Sequence, residues 1–200
     1  IQEKLLEHNF SRKDIVIALG GGVIGDLVGF ASSTYKRGLT FINIPSSTLS
    51  MIDSSIGGKT AINFNGIKNA VGAFYMPKKV IISFDTLKSL PERHYYNGLM
   101  EALKAGLIYD PELYNIFKNF ENYEISQIVE LALKVKKDVV EIDPLEKGLR
   151  KILNFGHTIG HAIESQNFNE MYHGEAIAFG MLFFLSDELK EEVKKIIAKT

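Results

Sequence analysis

Five consecutive apolar residues, Ile15 to Leu19, run without a break into Gly20-Gly21-Gly22-Val23-Ile24-Gly25-Asp26. An apolar run with no polar alternation predicts a buried strand of a parallel sheet, and parallel strands need covered crossovers between them. The opening of the chain is thereby restricted to an α/β arrangement. Leu39–Ile44 and Val80–Phe84 read as further strands, and residues 1–9 as a helix joined to the first strand through Asn9 to Asp14. Glycines 20, 22 and 25 match the G-x-G-x-x-G spacing that lets backbone amides at a helix start approach a pyrophosphate. Two readings stay open: phosphate or dinucleotide contact, or a tight turn with close helix packing. The acidic residue expected about twenty positions on is missing, because Leu39–Ile44 ends in Pro45 and Ser46. Gly58-Lys59-Thr60 invites a nucleotide-triphosphate reading that fails, since Asp53 stands where that loop needs glycine. Lys59 and Lys68, the latter beside Asn69, read either as anion contacts or as solvated surface groups.

Beyond Leu90 the period changes. Helices are predicted over 92–108, 111–120, 124–142, 149–165 and 174–198, with polar breaks at Asp110-Pro111 and Asp143-Pro144. The boundary falls near 88–92, giving a Rossmann-like α/β portion over 1–90 with an incomplete parallel sheet, then an all-α portion over 91–200. With 46% apolar residues, 24% charged residues and a net charge of -1, the chain is an ordinary globular one, without a general electrostatic footprint for nucleic acid or membrane. No cysteine is present, which excludes disulfides, thiolate-bound zinc and cysteine nucleophiles. Ala176 to Leu185 is too short to span a bilayer and reads as a buried helix. Ile1 to Asp14 is charged throughout, unlike a signal peptide. The chain opens without Met, inside an expected helix, as an excised piece would.

The chemistry concentrates in Asn154 to Glu175. Three of five histidines, His157, His161 and His173, fall within 17 residues. His157 and His161 lie four apart, on one helix face, and His173 and Glu175 follow a polar break. Imidazoles suit a borderline-soft divalent ion, and a carboxylate can complete a site that keeps positions open. The alternative is a helix face whose histidines bond to backbone. Glu101 and Lys104, side by side on a helix, are either an exposed pair of little energetic worth or, since the surrounding residues are mostly apolar, a buried carboxylate that needs a partner such as a metal.

Eight segments, in order, resemble one family: GGGVIGDLVGF (20–30), TYKRG (34–38), PSSTLSMIDSSIGGKTAIN (45–63), KNAVGAFYMP (68–77), LPER (90–93), GLMEALKAGLI (98–108), GLRKILNFGHTIGHAIE (148–164) and HGEAIAFGM (173–181). This is similar to the middle of the 3-dehydroquinate synthases, within the sugar-phosphate cyclase superfamily. The resemblance implies zinc or cobalt held by Glu101, His157 and His173. It also implies NAD on the glycine loop (Gly21, Gly22, Val23, Gly25), Asp26, Ser46, Ser47 and Asp53, with Lys59 and Lys68 nearby. An anionic sugar-phosphate substrate would meet Lys59, Lys68, Asn69, Asp53, Lys104, Lys136, Arg150, Asn154 and His161, with Glu146 close to the reacting centre. Arg37 resembles an arginine given to the neighbouring active site, which implies a homodimer, and the family is cytoplasmic.

The implied reaction converts 3-deoxy-D-arabino-heptulosonate 7-phosphate to 3-dehydroquinate and phosphate by alcohol oxidation, phosphate β-elimination, reduction, ring opening and aldol closure. Family members are longer, so the resemblance implies truncation at both ends. Departures are His94 after LPER, Ser46-Ser47 for a commoner threonine pair, and no basic residue just before Glu146. The rival readings are another sugar-phosphate cyclase, a metal-dependent polyol dehydrogenase and an inactive folded fragment.

Overall fold

The computed structural model describes residues 1–120, 123–166 and 170–199. It divides into two compact units, Ile1–Leu90 and Pro91–Thr200.

In the first unit, helix α1 (Gln2–Glu7) precedes strand β1 (Ile15–Gly20), helix α2 (Gly22–Thr34) and strand β2 (Thr40–Pro45). A hairpin, β3 (Lys59–Phe64) and β4 (Ile67–Phe74), and the short β5 (Lys79–Val80) complete it. The strands β1, β2 and β5 form a parallel sheet in the order β1-β2-β5, with Ile15 opposite Thr40 and Ile42 opposite Lys79. Phe41 of β2, Leu39, Met51 and Ile52 are buried in this unit's core. The expected burial of β1 is only half met. Ala18 is buried, but Ile15, Ile17 and Leu19 are 53%, 58% and 62% exposed. They alternate with half-buried Val16 and Gly20 and buried Ala18, so a single face of the strand is covered.

The sequence reading needs two further corrections here. The strand predicted over Val80–Phe84 shrinks to Lys79–Val80, with residues 81–83 irregular and a 3-10 turn over Phe84–Ser89. The β3–β4 hairpin was not foreseen. Its signal was Asn65-Gly66, whose φ values of 50° and 76° are the pair of left-handed conformations that a two-residue hairpin turn demands. Lys59 and Lys68 therefore sit on strands.

The second unit is helical: α3 (Glu92–Ile108), α4 (Pro111–Lys118), α5 (Ile125–Ile142), α6 (His157–Gln166), α7 (His173–Leu182) and α8 (Asp187–Ile197). Asp110 caps α4 by accepting from the amides of Glu112 and Leu113 at 2.9 and 3.0 Å, and Pro111 occupies the position where a missing N–H costs nothing. Leu99, Leu103, Leu113, Phe117, Ile128, Val139, Ile177, Met181 and Val193 form the core.

Two predicted helices are each broken in two. Residues 149–165 split into a 3-10 turn, Leu149–Asn154, and α6, with Gly156 between them at φ 77°. Residues 174–198 split where Ser186 caps α8, and the apolar Phe183-Phe184-Leu185 had concealed the stop. Phe183 and Phe184 are 65% and 55% exposed, so Ala176 to Leu185 is not one buried helix. The polar break between His161 and His173 includes residues 167–169, which lie outside the described residues. Among the described residues no helix is long and apolar enough to cross a membrane.

Candidate metal centre

Helix α3 is apolar on most of its circumference, and it carries a charged pair inside. Glu101 and Lys104 are each 3% exposed, and the Lys104 ammonium donates to Glu101 Oε2. The other carboxylate oxygen, Oε1, is buried and meets no hydrogen-bond donor of good geometry. Its neighbours are His173 Nε2 at 3.4 Å and His157 Nε2 at 3.8 Å.

The two imidazoles come from different helices. Gly156 and Gly160 on one side and Gly180 on the other let the two backbones come close, with Gly180 facing the Gly156 carbonyl and the Gly160 amide. The His157 and His173 rings consequently lie 5.4 Å apart. His161, one turn after His157, brings its ring to 5.1 Å from His157 and 5.7 Å from His173. One nitrogen from each of these three rings lies within 4.8 Å of the others.

A divalent cation fits this donor set. The orphaned buried oxygen faces two ring nitrogens, and imidazole with carboxylate is the chemistry of zinc and cobalt sites that keep positions open. Three backing contacts aim the donors. His157 Nδ1 is 3.2 Å from the Phe155 carbonyl, His173 Nδ1 is 3.3 Å from Glu164 Oε2, and Lys104 holds Glu101. Such outer contacts fix which ring nitrogen is free for an ion. Glu164 went unnoticed in the sequence, although 157, 161 and 164 follow the i, i+4, i+7 spacing of one helix face.

Lys104 and the carboxylates pull the charges of this cluster in opposite directions. Burial alone would raise the Glu101 carboxyl, but the Lys104 ammonium, then His173 and His157, hold it below the usual carboxylate range. Burial and Lys104 push His157 down to about 4, against the pull of Glu101. Burial also works against a proton on His173, yet the neighbouring carboxylates of Glu101 and Glu164 raise it to about 9.

The other predicted residues of this unit divide by burial. Asn154 donates to Glu146 Oε1 at 2.8 Å, and both line an open cleft of about 830 Å³ with Lys151, Phe155 and Thr158. Arg150 is 1% exposed, and its guanidinium donates to the Pro144 carbonyl at 2.6 Å. Asp143 gathers the amides of Lys147, Gly148 and Arg150 at 2.9, 2.7 and 3.1 Å, so the loop carrying Glu146 is built around one carboxylate. Lys136 is half-buried on α5.

In the first unit the glycine loop has the context its motif needs. Strand β1 ends at Gly20, Gly21 caps α2, and Val23, Gly25 and Asp26 fall in the first turns of that helix. Ser46 and Ser47 follow β2, the Ser46 amide donates to the Gly20 carbonyl at 2.9 Å, and a Cβ on Gly21 would sit 3.5 Å from Ser47 Oγ. Asp26, Lys59 and Asn69 line one cavity of about 350 Å³. Lys68 is exposed on β4, and Asp53 lies in a π-helical turn, Ser50–Ser54. Arg37 is exposed, on a turn where Lys36 and Arg37 both have positive φ, 46° and 66°.

Known proteins share this pattern. A model for the N-terminal part of 3-dehydroquinate synthase matches residues 1–97, and one for its C-terminal part matches 98–198. The 3-dehydroquinate synthase of Campylobacter concisus is 44% identical over the whole of this chain, which covers 61% of that protein. Among solved structures, 2-epi-5-epi-valiolone synthase from Streptomyces hygroscopicus, with NAD+ and Zn2+ bound, aligns with TM-score 0.91 at 27% identity, over 98% of this chain and 60% of that one. A 2-deoxy-scyllo-inosose synthase complexed with carbaglucose-6-phosphate, NAD+ and Co2+ also gives 0.91, at 29% identity, over 99% of this chain and 59% of that one. The chain thus spans about three-fifths of the length of these proteins. With both halves matched in order and a histidine-based metal site in the second, the chain belongs to the 3-dehydroquinate synthase family.

Proposed function

We propose that this chain is the central part of a cytoplasmic 3-dehydroquinate synthase, converting 3-deoxy-D-arabino-heptulosonate 7-phosphate to 3-dehydroquinate and phosphate. One observation carries the reading: the buried, undonated Oε1 of Glu101 faces the Nε2 atoms of His157 and His173. In this reading those three residues hold zinc or cobalt, and residues of the first unit contact NAD: Gly21, Gly22, Val23, Gly25, Asp26, Ser46, Ser47, Asp53, Lys59 and Lys68. When bound, the ion supplies Lewis-acid polarisation of a substrate hydroxyl, and NAD supplies a hydride acceptor that is restored within the turnover.

The protein's own residues then have distinct tasks. Lys104 keeps Glu101 ionised, and its remaining N–H groups suit an anionic substrate. His161 stands exposed beside the centre, where a neutral imidazole can orient a hydroxyl or relay a proton. Asn154, paired with Glu146, offers hydrogen bonds at the rim of the cleft. Lys59, Lys68, Asn69 and Lys136 add positive and polar groups for a substrate that bears both carboxylate and phosphate, while Arg150, buried on the Pro144 carbonyl, backs the loop that carries Glu146. Arg37 serves the phosphate in the neighbouring subunit of a homodimer.

The test is turnover of the heptulosonate phosphate by purified protein with zinc and NAD. Inorganic phosphate is expected without net accumulation of NADH. NADH accumulating without phosphate would establish a polyol dehydrogenase instead. If phosphate forms only with a longer chain containing this one, the family assignment stands and the missing length accounts for the silence.

A further inference from the structure

Arg93, Asn97 and Glu101 stand four residues apart on α3, so they leave one face of that helix in successive turns. Each meets a successive residue at the start of α7. Arg93 Nε donates to Glu175 Oε1 at 2.6 Å and its Nη2 to Glu175 Oε2 at 2.8 Å. Asn97 Oδ1 accepts from the Gly174 amide at 2.7 Å. Glu101 Oε1 lies 3.4 Å from His173 Nε2. The pairing order, 93 with 175, 97 with 174 and 101 with 173, makes three rungs between the two helices.

The contact is close enough to act as a gauge. A Cβ on Gly174 would overlap the Asn97 carbonyl oxygen, so the first turn of α7 rests directly on the α3 backbone. The approach to His173 is tied down as well. Arg93 Nη2 donates to the Glu170 carbonyl at 2.6 Å, its guanidinium lies 4.1 Å from the Tyr172 ring centre, and Glu175 Oε2 accepts from the Tyr172 amide at 2.8 Å. His173 is the first residue of its helix, where backbone amides lack intrahelical partners and ends fray. Held on both sides, it is denied that freedom.

We infer that Arg93 and Asn97 are positioning residues for the metal centre. They fix where His173 presents Nε2 to Glu101, so α3 supplies one ligand and sets the place of another. The inference rests on the metal reading of Glu101, His157 and His173. It gives purpose to two residues outside that ligand set, at a site whose donors must be held to within roughly half an ångström. Arginine suits the upper rung because its planar fork reaches both carboxylate oxygens while its face lies on an aromatic ring.

Cobalt titration of the metal-free protein, followed by its visible absorption spectrum, tests this alongside metal-free thermal unfolding. Arg93→Ala and Asn97→Ala are expected to bind Co2+ roughly ten- to a hundred-fold more weakly, with an altered ligand-field spectrum. Arg93→Lys keeps the charge without the fork and should fall between them and wild type; it also serves if an alanine variant does not fold. Folded variants with lowered melting temperatures but wild-type affinity and spectrum would overturn the positioning role alone, leaving a merely structural contact. A wild-type chain that takes up no cobalt would overturn the metal reading, and the gauge with it.

Discussion

Glu101→Ala is expected to cost the metal-free protein about 3–5 kcal/mol of stability, measured by chemical denaturation. The loss comes from Lys104, which is 3% exposed and would keep a buried charge with no counter-ion. Lys104→Ala should cost less, because His173 remains beside the Glu101 carboxylate as a partner. Replacing both, as Glu101→Leu with Lys104→Met, removes the uncompensated charge and fills the volume, so most of the stability should return. The double variant should still bind no metal. Stability and ion binding are then separable: the pair is costly to break but not needed for folding, which points to retention for chemistry. Single variants as stable as wild type would show that the pair is not buried as a unit.

The second large effect is expected at Gly180. A Cβ there would overlap the Gly156 carbonyl oxygen and come within 2.8 Å of the Gly160 amide nitrogen, both backbone atoms that cannot swing aside. Gly180→Ala must therefore push α6 and α7 apart, at a cost of about 1–3 kcal/mol or more for overpacking. Because the helices carry His157 and His173 separately, metal affinity should fall along with stability. Gly160→Ala meets the movable end of Ile177 at 2.7 Å and backbone only at 3.0 Å, so its effect should be smaller. Denaturation midpoints and cobalt affinities for the two variants give the comparison. The reverse order would mean that the glycine contacts do not set the helix spacing.

What the sequence disclosed follows from how local each signal is. The β1 run and its glycines carry strand, turn and helix start within twelve residues, from Ile15 to Asp26, and the structure places β1 and α2 there. His157 and His161 are neighbours by helical spacing alone. That Glu101 joins His157 and His173 depends on packing across 72 residues of sequence, so helical spacing offered Glu101 only as one candidate ligand and the family resemblance singled it out. The helix breaks at Gly156 and Ser186 were missed because apolar periodicity ran through them, Leu153-Asn154-Phe155 before one and Phe183-Phe184-Leu185 before the other. The hairpin was missed because Asn65-Gly66 sits in a stretch whose glycines and lysines invited an anion-loop reading. Exposure of Ile15, Ile17 and Leu19 could not be read from a run of apolar residues, since that pattern says only that burial is possible.

In the proposed centre a carboxylate on α3 and imidazoles on α6 and α7 grip a single divalent ion. Metal analysis after equilibrium dialysis against zinc or cobalt addresses it directly, on wild type and on His157→Ala. Wild type should retain one ion per chain and His157→Ala none, with the metal-free stabilities of the two remaining close. Stoichiometric metal in His157→Ala would contradict the assignment of that imidazole and with it the shared grip.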